Sequence, residues 1–381
     1  MVNNMIPINS FVVKIARDCN LNCSYCYEYN MGDDSWKEQE KYMSLEVLRR
    51  LISRIEEHCK EYKINQLEIM MHGGEPTIVG KKRMIEYLNE FRNNKLISQA
   101  TIGIQTNGYS LDNEWIKIFE NYNIFVGVSL DGIPTDNDRN RYLLNGKGTG
   151  SKVEKGLNIL MNSVCFSGIL AVIDIKNDPI STFRYLKGFN PPLLDFLLPH
   201  GHWDKRPYGK EKEESQCYAD WLISIFEEWY FNKSDICVRI FEEIIEHLLG
   251  GKGSLETLGL EPISLLTIST SGDYEAVDTM KSVYPDAHKL GINVNNAAIS
   301  EVFNKTQVLE RIIGKNALCN DCLTCEFLKT CGGGYYPHRY SIENKFKNRS
   351  IYCADLKKIF EIIDSTIKID LERFNRLQKT F

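Results

Sequence analysis

Through the first half of the chain, short apolar runs alternate with amphipathic stretches, the pattern of parallel strands joined by helices. Residues 11–16 (FVVKIA) predict a strand that ends just before a cysteine-containing loop. From Ser44 to about Tyr62 the spacing predicts a helix, with Ser44 as N-cap and Leu45, Leu48, Leu51, Ile52 and Ile55 along one face. Residues 67–76 (LEIMMHGGEP) predict a second strand running into a glycine turn, followed by a helix near 81–93. The runs IGIQTNG (102–108), IFVGVSLDG (124–132) and GILAVID (168–174) repeat the device, and DFLLPHGHW (195–203) is a sixth strand candidate. A repeat of about 25–45 residues suits βα units.

Most of the six runs lead into Cys, Gly, Asn, Asp or His, so the C-terminal strand ends gather chemistry on one face, as in a barrel of βα units. The pattern by itself fits a closed barrel as well as an open one. Between about Glu211 and Leu249, SQCYADWLISIFEEWYF and CVRIFEEIIEHLL read as two helices bridging to the rest of the chain. From Leu265 the texture changes to short strands and turns with a second group of cysteines. The expected division is therefore a barrel over 8–210, a helical bridge over 211–262 and a cysteine-rich region with a C-terminal helix over 263–381.

Composition narrows the function class. With 381 residues, 43% of them hydrophobic, the chain can bury a large core. A net charge of −5 without a long basic run argues against nucleic acid as a partner. No stretch approaches the roughly 20 apolar residues that span a bilayer, and no signal peptide is evident, so a cytoplasmic, reducing location without membrane partners is expected. Twelve cysteines are many for such a protein. Three cluster near the start, five fall between Cys319 and Cys353, and Cys59, Cys165, Cys217 and Cys237 are scattered as small apolar side chains.

Cys19, Cys23 and Cys26, in CNLNCSYCY, carry the most information. Four-iron clusters are usually held by four thiolates, so a tight run of three leaves one iron open to a ligand that is not protein. A C-x2-C pair also suits zinc, but zinc pairs are normally completed by a second pair close by. The spacing C-x3-C-x2-C followed by Tyr27 resembles the radical SAM superfamily signature. That resemblance implies a partial (β/α)6 TIM-like barrel, a [4Fe-4S] cluster at these three cysteines, and S-adenosylmethionine (SAM) chelating the open iron.

The turn His72-Gly73-Gly74-Glu75-Pro76 is similar to the family's GGEP motif. Paired glycines let backbone approach a ligand closely, and Glu75 can accept a hydrogen bond from the cofactor's amino group. Thr106-Asn107-Gly108 and Ser129-Leu130-Asp131-Gly132 resemble segments lining the cofactor's ribose and carboxylate, although polar residues at strand ends also serve as ordinary turns. Arg141, in DNDRNRYLLNGKGTG, resembles the Arg of the family's HD-x2-R-x4-G-x-G-S segment, with Asn137 in place of His. A guanidinium there would pair with the methionine carboxylate. Val172 is a candidate adenine contact and equally a core residue.

Cys322-x2-Cys325-x5-Cys331 with the distant Cys353 resembles the SPASM domain of radical SAM peptide-modifying enzymes. The resemblance implies one auxiliary [4Fe-4S] cluster on these four thiolates, with Cys319 a spare or alternative ligand; four thiolates suit zinc as well. Two auxiliary clusters are common in such domains, but here Gly334 and then Tyr335 stand where a further cysteine is expected. Val277 stands at a ligand position in the hairpin SGDYEAVD. Asp278 follows it, at the place of the proposed base of sulfatase-maturing enzymes. A surface carboxylate is the plainer alternative. Because an ordinary Asp, with a pKa near about 3.9, is a weak base, burial would have to raise it.

CNLNCSYCYEYNMGDDSW, DFLLPHGHWD, GLEPISLLTI, AVDTMKSVY and CGGGYYPHRY resemble FxsB-type maturases of ribosomally made peptides, which form three-residue cyclophanes. The implied reaction takes hydrogen from the β-carbon of one residue and joins that carbon to an aromatic ring two residues upstream. The auxiliary cluster would accept the surplus electron and Asp278 the proton. The implied partners are a precursor peptide with a leader and an electron donor such as flavodoxin or ferredoxin. No separate leader-binding domain is expected, since the first strand begins near Phe11. Trp203, Tyr335 and Tyr336 are candidates for the peptide site, although aromatic residues more often serve packing. The alternatives are another SPASM modification (thioether formation, epimerisation or formylglycine-type oxidation) and a non-enzymatic metal-binding scaffold.

Overall fold

The computed structural model describes residues 7–378, so the last three residues of the expected C-terminal region lie outside the described residues. Six strands follow the predicted runs: β1 Ser10–Ala16, β2 Glu68–Gly73, β3 Thr101–Thr106, β4 Ile124–Ser129, β5 Phe166–Val172 and β6 Leu193–Leu197. Each pairs in parallel with the next. The connecting helices are α1 Leu45–Tyr62, α2 Gly80–Asn93, α3 Asn113–Asn121, α4 Pro134–Asn140, α5 Gly150–Leu160 and α6 Pro179–Lys187. In α1 the side chain of Ser44 accepts from Val47 N at 3.1 Å, while Leu48, Leu51, Ile52 and Ile55 are buried in the main core.

The sheet does not stop at six strands. A two-residue β7, Cys237–Val238, pairs with β6, and it opens what the hydrophobic pattern presents as the second bridging helix. The helices of this region are α7 Cys217–Phe231 and α8 Arg239–Leu248. On the other side, β8 Leu265–Ile268 adds to β1 in parallel, and β9 Asp273–Glu275 and β10 Lys289–Asn293 follow antiparallel, giving the order β10-β9-β8-β1-β2-β3-β4-β5-β6-β7. The late strands thus extend the sheet that the early strands begin. A long terminal helix, Cys353–Gln378, packs on α7 and α8.

The core includes Phe11, Val13, Ile15, Ile69, Met71, Ile104, Val126, Ile169 and Phe196, all nearly or completely inaccessible. A second, smaller apolar cluster joins Val277, Met280, Val283, Ala287, Tyr336 and Tyr340. Among the described residues no helix is long and apolar enough to cross a membrane.

Candidate active site

The C-terminal ends of β1 to β6 open into one cavity of about 430 Å³. Its floor carries Cys19, Cys23 and Cys26 from the loop after β1, and burial pushes the thiols of Cys19 and Cys26 up to about 12. Such thiols keep their protons until a metal displaces them. The loop is pinned at alternate positions. Tyr25 Oη donates to Asp131 Oδ2, Tyr27 Oη donates to Asp278 Oδ2 at 2.8 Å, and Tyr29 Oη donates to the Arg17 carbonyl. Beneath it Glu28 lies between two buried lysines, Lys14 at 2.9 Å and Lys281 at 2.5 Å.

Around these thiols stand most of the residues singled out for SAM: Gly73, Gly74, Glu75, Thr106, Asn107, Ser129, Arg141 and Val172 all line the cavity. Glu75 is a hub. Its Oε1 accepts from Thr77 N, Thr77 Oγ1 and Thr106 Oγ1 at 2.9, 2.6 and 2.7 Å, and its Oε2 from Asn107 N at 2.7 Å. Oε2 retains a free lone pair for a further donor. Ser129 Oγ accepts from Gln105 Nε2. Arg141 is buried and donates from Nη1 to Tyr25 Oη at 2.9 Å, while its Nε has no partner. Burial weakens its charge, but Tyr25, Cys23 and Asp131 outweigh that and hold the guanidinium firmly charged.

Two expectations change and one gains a second cause. The glycine pair lines the cavity and is also required by packing against the cysteine loop. A Cβ on Gly73 (φ +140°) would lie 2.1 Å from the Ala16 carbonyl oxygen, and one on Gly74 would lie 2.3 Å from that of Asp18. Asp131 is not among the cavity-lining residues; behind the wall it receives Tyr25 Oη and, at 3.0 Å, Val172 N. Asp278 is buried, yet its pKa is not raised. Burial pushes it up, but Lys14, His72, the Tyr27 hydroxyl and Lys281 together pull it down to about 2.

The cavity is also walled by aliphatic side chains of α7, α8 and the terminal helix, Leu222, Ile240, Ile244, Leu356 and Ile359, and by Leu258 from the segment after α8. His200 and His338 face it with unpartnered ring nitrogens, and burial lowers His200 to about 4 against the opposing pull of Asp278. Tyr335 also lines this half, bonded to the Thr279 hydroxyl. Trp203 and Tyr336 are absent from the lining: Trp203 Nε1 donates to the Arg349 carbonyl, and Tyr336 stacks on Phe346. Lys14, Glu28, Gln105, His200 and His338 were not singled out from the sequence. A lysine inside the apolar run FVVKIA was the available signal.

Residues 13–183 match the family model described as the Radical SAM superfamily. This is a radical SAM enzyme. Its cofactors are SAM and a [4Fe-4S] cluster, and the donor set fits them: three half-buried cysteines on one floor, with Glu75 and Arg141, whose Nε has no partner, lining the same cavity. Along the sequence the chain is similar to the cysteine-type anaerobic sulfatase-maturating enzyme of Clostridium perfringens (strain 13 / Type A), 26% identical over 94% of this chain and 96% of that protein. In three dimensions it resembles native anSMEcpe with bound AdoMet and Cp18Cys peptide, with a TM-score of 0.80, 23% identity and coverage of 96% and 99% of the two chains. It also resembles Streptococcus suis SuiB bound to precursor peptide SuiA, with a TM-score of 0.61 and 14% identity over 92% and 76% of the two chains.

A second cavity of about 270 Å³ lies beside the first, with Leu356 in the wall of both. Cys322, Cys325, Cys331 and Cys353 all line it. Cys319 does not, although its Sγ lies 3.5 Å from that of Cys322. Cys322 and Cys325 flank the end of a single helical turn, Cys331 closes another, and Cys353 begins the terminal helix. Among the described residues no three His, Cys, Asp or Glu side chains converge on one point to hold a single metal ion.

Proposed function

We propose that this radical SAM enzyme matures a ribosomally made peptide, joining an aromatic ring to the β-carbon of the residue two positions downstream to form a three-residue cyclophane. Action on a peptide is supported by the likeness to sulfatase-maturating enzymes and to SuiB with its precursor peptide. The observation that carries the ring-joining reading is the aliphatic wall from Leu222 to Ile359, which offers an aromatic side chain a dry face in the same cavity as the three cysteines.

In this reading Cys19, Cys23 and Cys26 hold the cluster that binds SAM, and Glu75 and Arg141 take the amino and carboxylate ends of SAM. Thr106, Asn107, Ser129 and Val172 line its remaining length, with Asp131 bracing Tyr25 and Val172 from behind. One auxiliary cluster sits on Cys322, Cys325, Cys331 and Cys353. A second is disfavoured because Val277 packs in an apolar cluster and Tyr335 fills the neighbouring space. When bound, these groups supply a hydrogen-abstracting 5′-deoxyadenosyl radical and a one-electron acceptor, recharged by a small donor such as flavodoxin or ferredoxin.

The chain's own task is the proton. After the bond forms, the ring carries one surplus electron and one surplus proton. Tyr27 lines the cavity and its hydroxyl donates to Asp278, so in this reading the ring proton passes to the tyrosine oxygen while the tyrosine proton moves to the carboxylate. A carboxylate with a pKa near 2 suffices, because the oxidised ring adduct is a far stronger acid than ordinary carbon acids.

The test is anaerobic turnover of a peptide carrying an aromatic-x-x motif with SAM and reductant. A product about 2 Da lighter, cross-linked by fragmentation and unreactive to a hydrazide, is expected from the loss of two hydrogens. Full-length similarity to sulfatase-maturating enzymes favours formylglycine formation as the second reading. A hydrazide-reactive aldehyde in place of the cross-link would establish that reading instead.

A further inference from the structure

Arg339 ends the short turn Tyr336–Arg339 that follows the glycine run after Cys331. It is only 5% exposed, and its Nε and Nη1 have no hydrogen-bond partner. An unpaired guanidinium in such a place is costly, because burial removes hydration and nothing returns it. The guanidinium sits 4.9 Å from the ring centre of Tyr336, which satisfies its flat face but not its N–H groups. Burial weakens its charge, and the groups that oppose this are Tyr336, Cys322, Cys331 and Cys319. No carboxylate is among them. Between Arg339 and the second cavity stands Gly333, which lines that cavity; a Cβ there would lie 3.3 Å from Nη1. The bare glycine leaves the line from guanidinium to cavity open.

We propose that Arg339 is the buried counter-charge of the auxiliary cluster, behind the more exposed Arg349 and Lys357 that line the cavity itself, its free N–H groups directed across Gly333 at the sulfur atoms of a thiolate-bound four-iron cluster and holding that cluster's reduction potential up. This rests on the reading that Cys322, Cys325, Cys331 and Cys353 hold such a cluster. A full set of four thiolates gives a net negative cluster that gains a further negative charge on reduction, so an adjacent fixed cation favours the reduced form. Arg339 is thus a positioning and tuning residue and touches no substrate.

The test uses the full chain with Cys19, Cys23 and Cys26 replaced by Ala, so that only the second site takes up iron, reconstituted anaerobically and titrated by EPR. Parent protein without iron at this site would overturn the four-cysteine reading. With iron bound, Arg339→Gln should lower the midpoint by about 59 mV, a tenfold change in a one-electron equilibrium, and Arg339→Lys should recover part of it. An unchanged midpoint at full iron content would overturn the proposal. Thermal unfolding guards against a folding defect. Arg339→Gln should destabilise the iron-loaded protein more than the metal-free one, because the metal-free parent carries an unpaired buried charge. Equal losses in both forms, with iron uptake abolished in the Lys variant as well, would assign Arg339 a structural role only.

Discussion

Around Cys19, Cys23 and Cys26 the protein supplies hydroxyls and charges from distant elements: Tyr25 on Asp131, Tyr27 on Asp278, and Glu28 between Lys14 and Lys281. Around Cys322, Cys325, Cys331 and Cys353 it supplies single helical turns, a glycine run and the start of a long helix, with Arg339 as the buried cation close by. A three-thiol site meant to admit an outside ligand must stay open, so its loop is braced from beneath. A four-thiol site is closed by its own chain, and its surroundings need only shape and a compensating charge. On the proposed function, the contrast separates a place where chemistry begins from a place that exchanges electrons.

The sharpest way to break the contrast is to empty the first site. Replacing Cys19, Cys23 and Cys26 with Ala should abolish 5′-deoxyadenosine formation and lower the iron content from about eight to about four per chain, at four irons per cluster. Persistent SAM cleavage in that variant, or about twelve irons in the parent, would refute the division of labour. Next in size is Asp278→Asn. SAM cleavage should continue while cross-linked peptide falls on the order of 10²–10⁴-fold, the usual loss when a proton acceptor is removed. Normal product yield would clear Asp278 of that role.

The bracing beneath the first site is a matter of stability. Glu28→Gln leaves Lys14 and Lys281 short of a buried partner, and breaking such a pair costs about 3–5 kcal/mol; Lys14 keeps Glu275 at 3.0 Å, which moderates the loss. Thermal unfolding of metal-free protein measures it, and no comparable drop is expected on removing Cys319, which lies outside the second cavity. The smallest effect is with pH. His58 and His200 are both lowered by burial from 6.5 to about 4. The unfolded chain therefore binds protons that the folded one refuses, and stability should decline as pH falls from about 6.5 toward 4. A His58→Gln variant should flatten that decline, read as melting temperature against pH.

Much of the first site could be read from local pattern. Apolar runs ending in polar residues placed six strand ends correctly, Ser44 and its spacing placed α1, and the three-cysteine spacing pointed to an open iron. The bracing was not readable, because Tyr27 and Asp278 are 251 positions apart and Glu28 and Lys281 are 253 apart. Nor could local pattern show that Gly73 and Gly74 must also be glycines for packing, since the crowding comes from carbonyls of Ala16 and Asp18 in another strand and loop.

The sequence by itself determined the periodic strand–helix alternation and the thiol spacings, because both depend on neighbours a few residues apart. Tertiary structure alone decided that β8 to β10 join the early sheet, which carries Asp278 to the back of Tyr27. It alone also decided that buried Lys14 and Lys281, beside His72 and the Tyr27 hydroxyl, keep that carboxylate ionised against its own burial. Ionisation in an interior is set by the sum of desolvation and surrounding charge, and that sum exists only once the chain is folded.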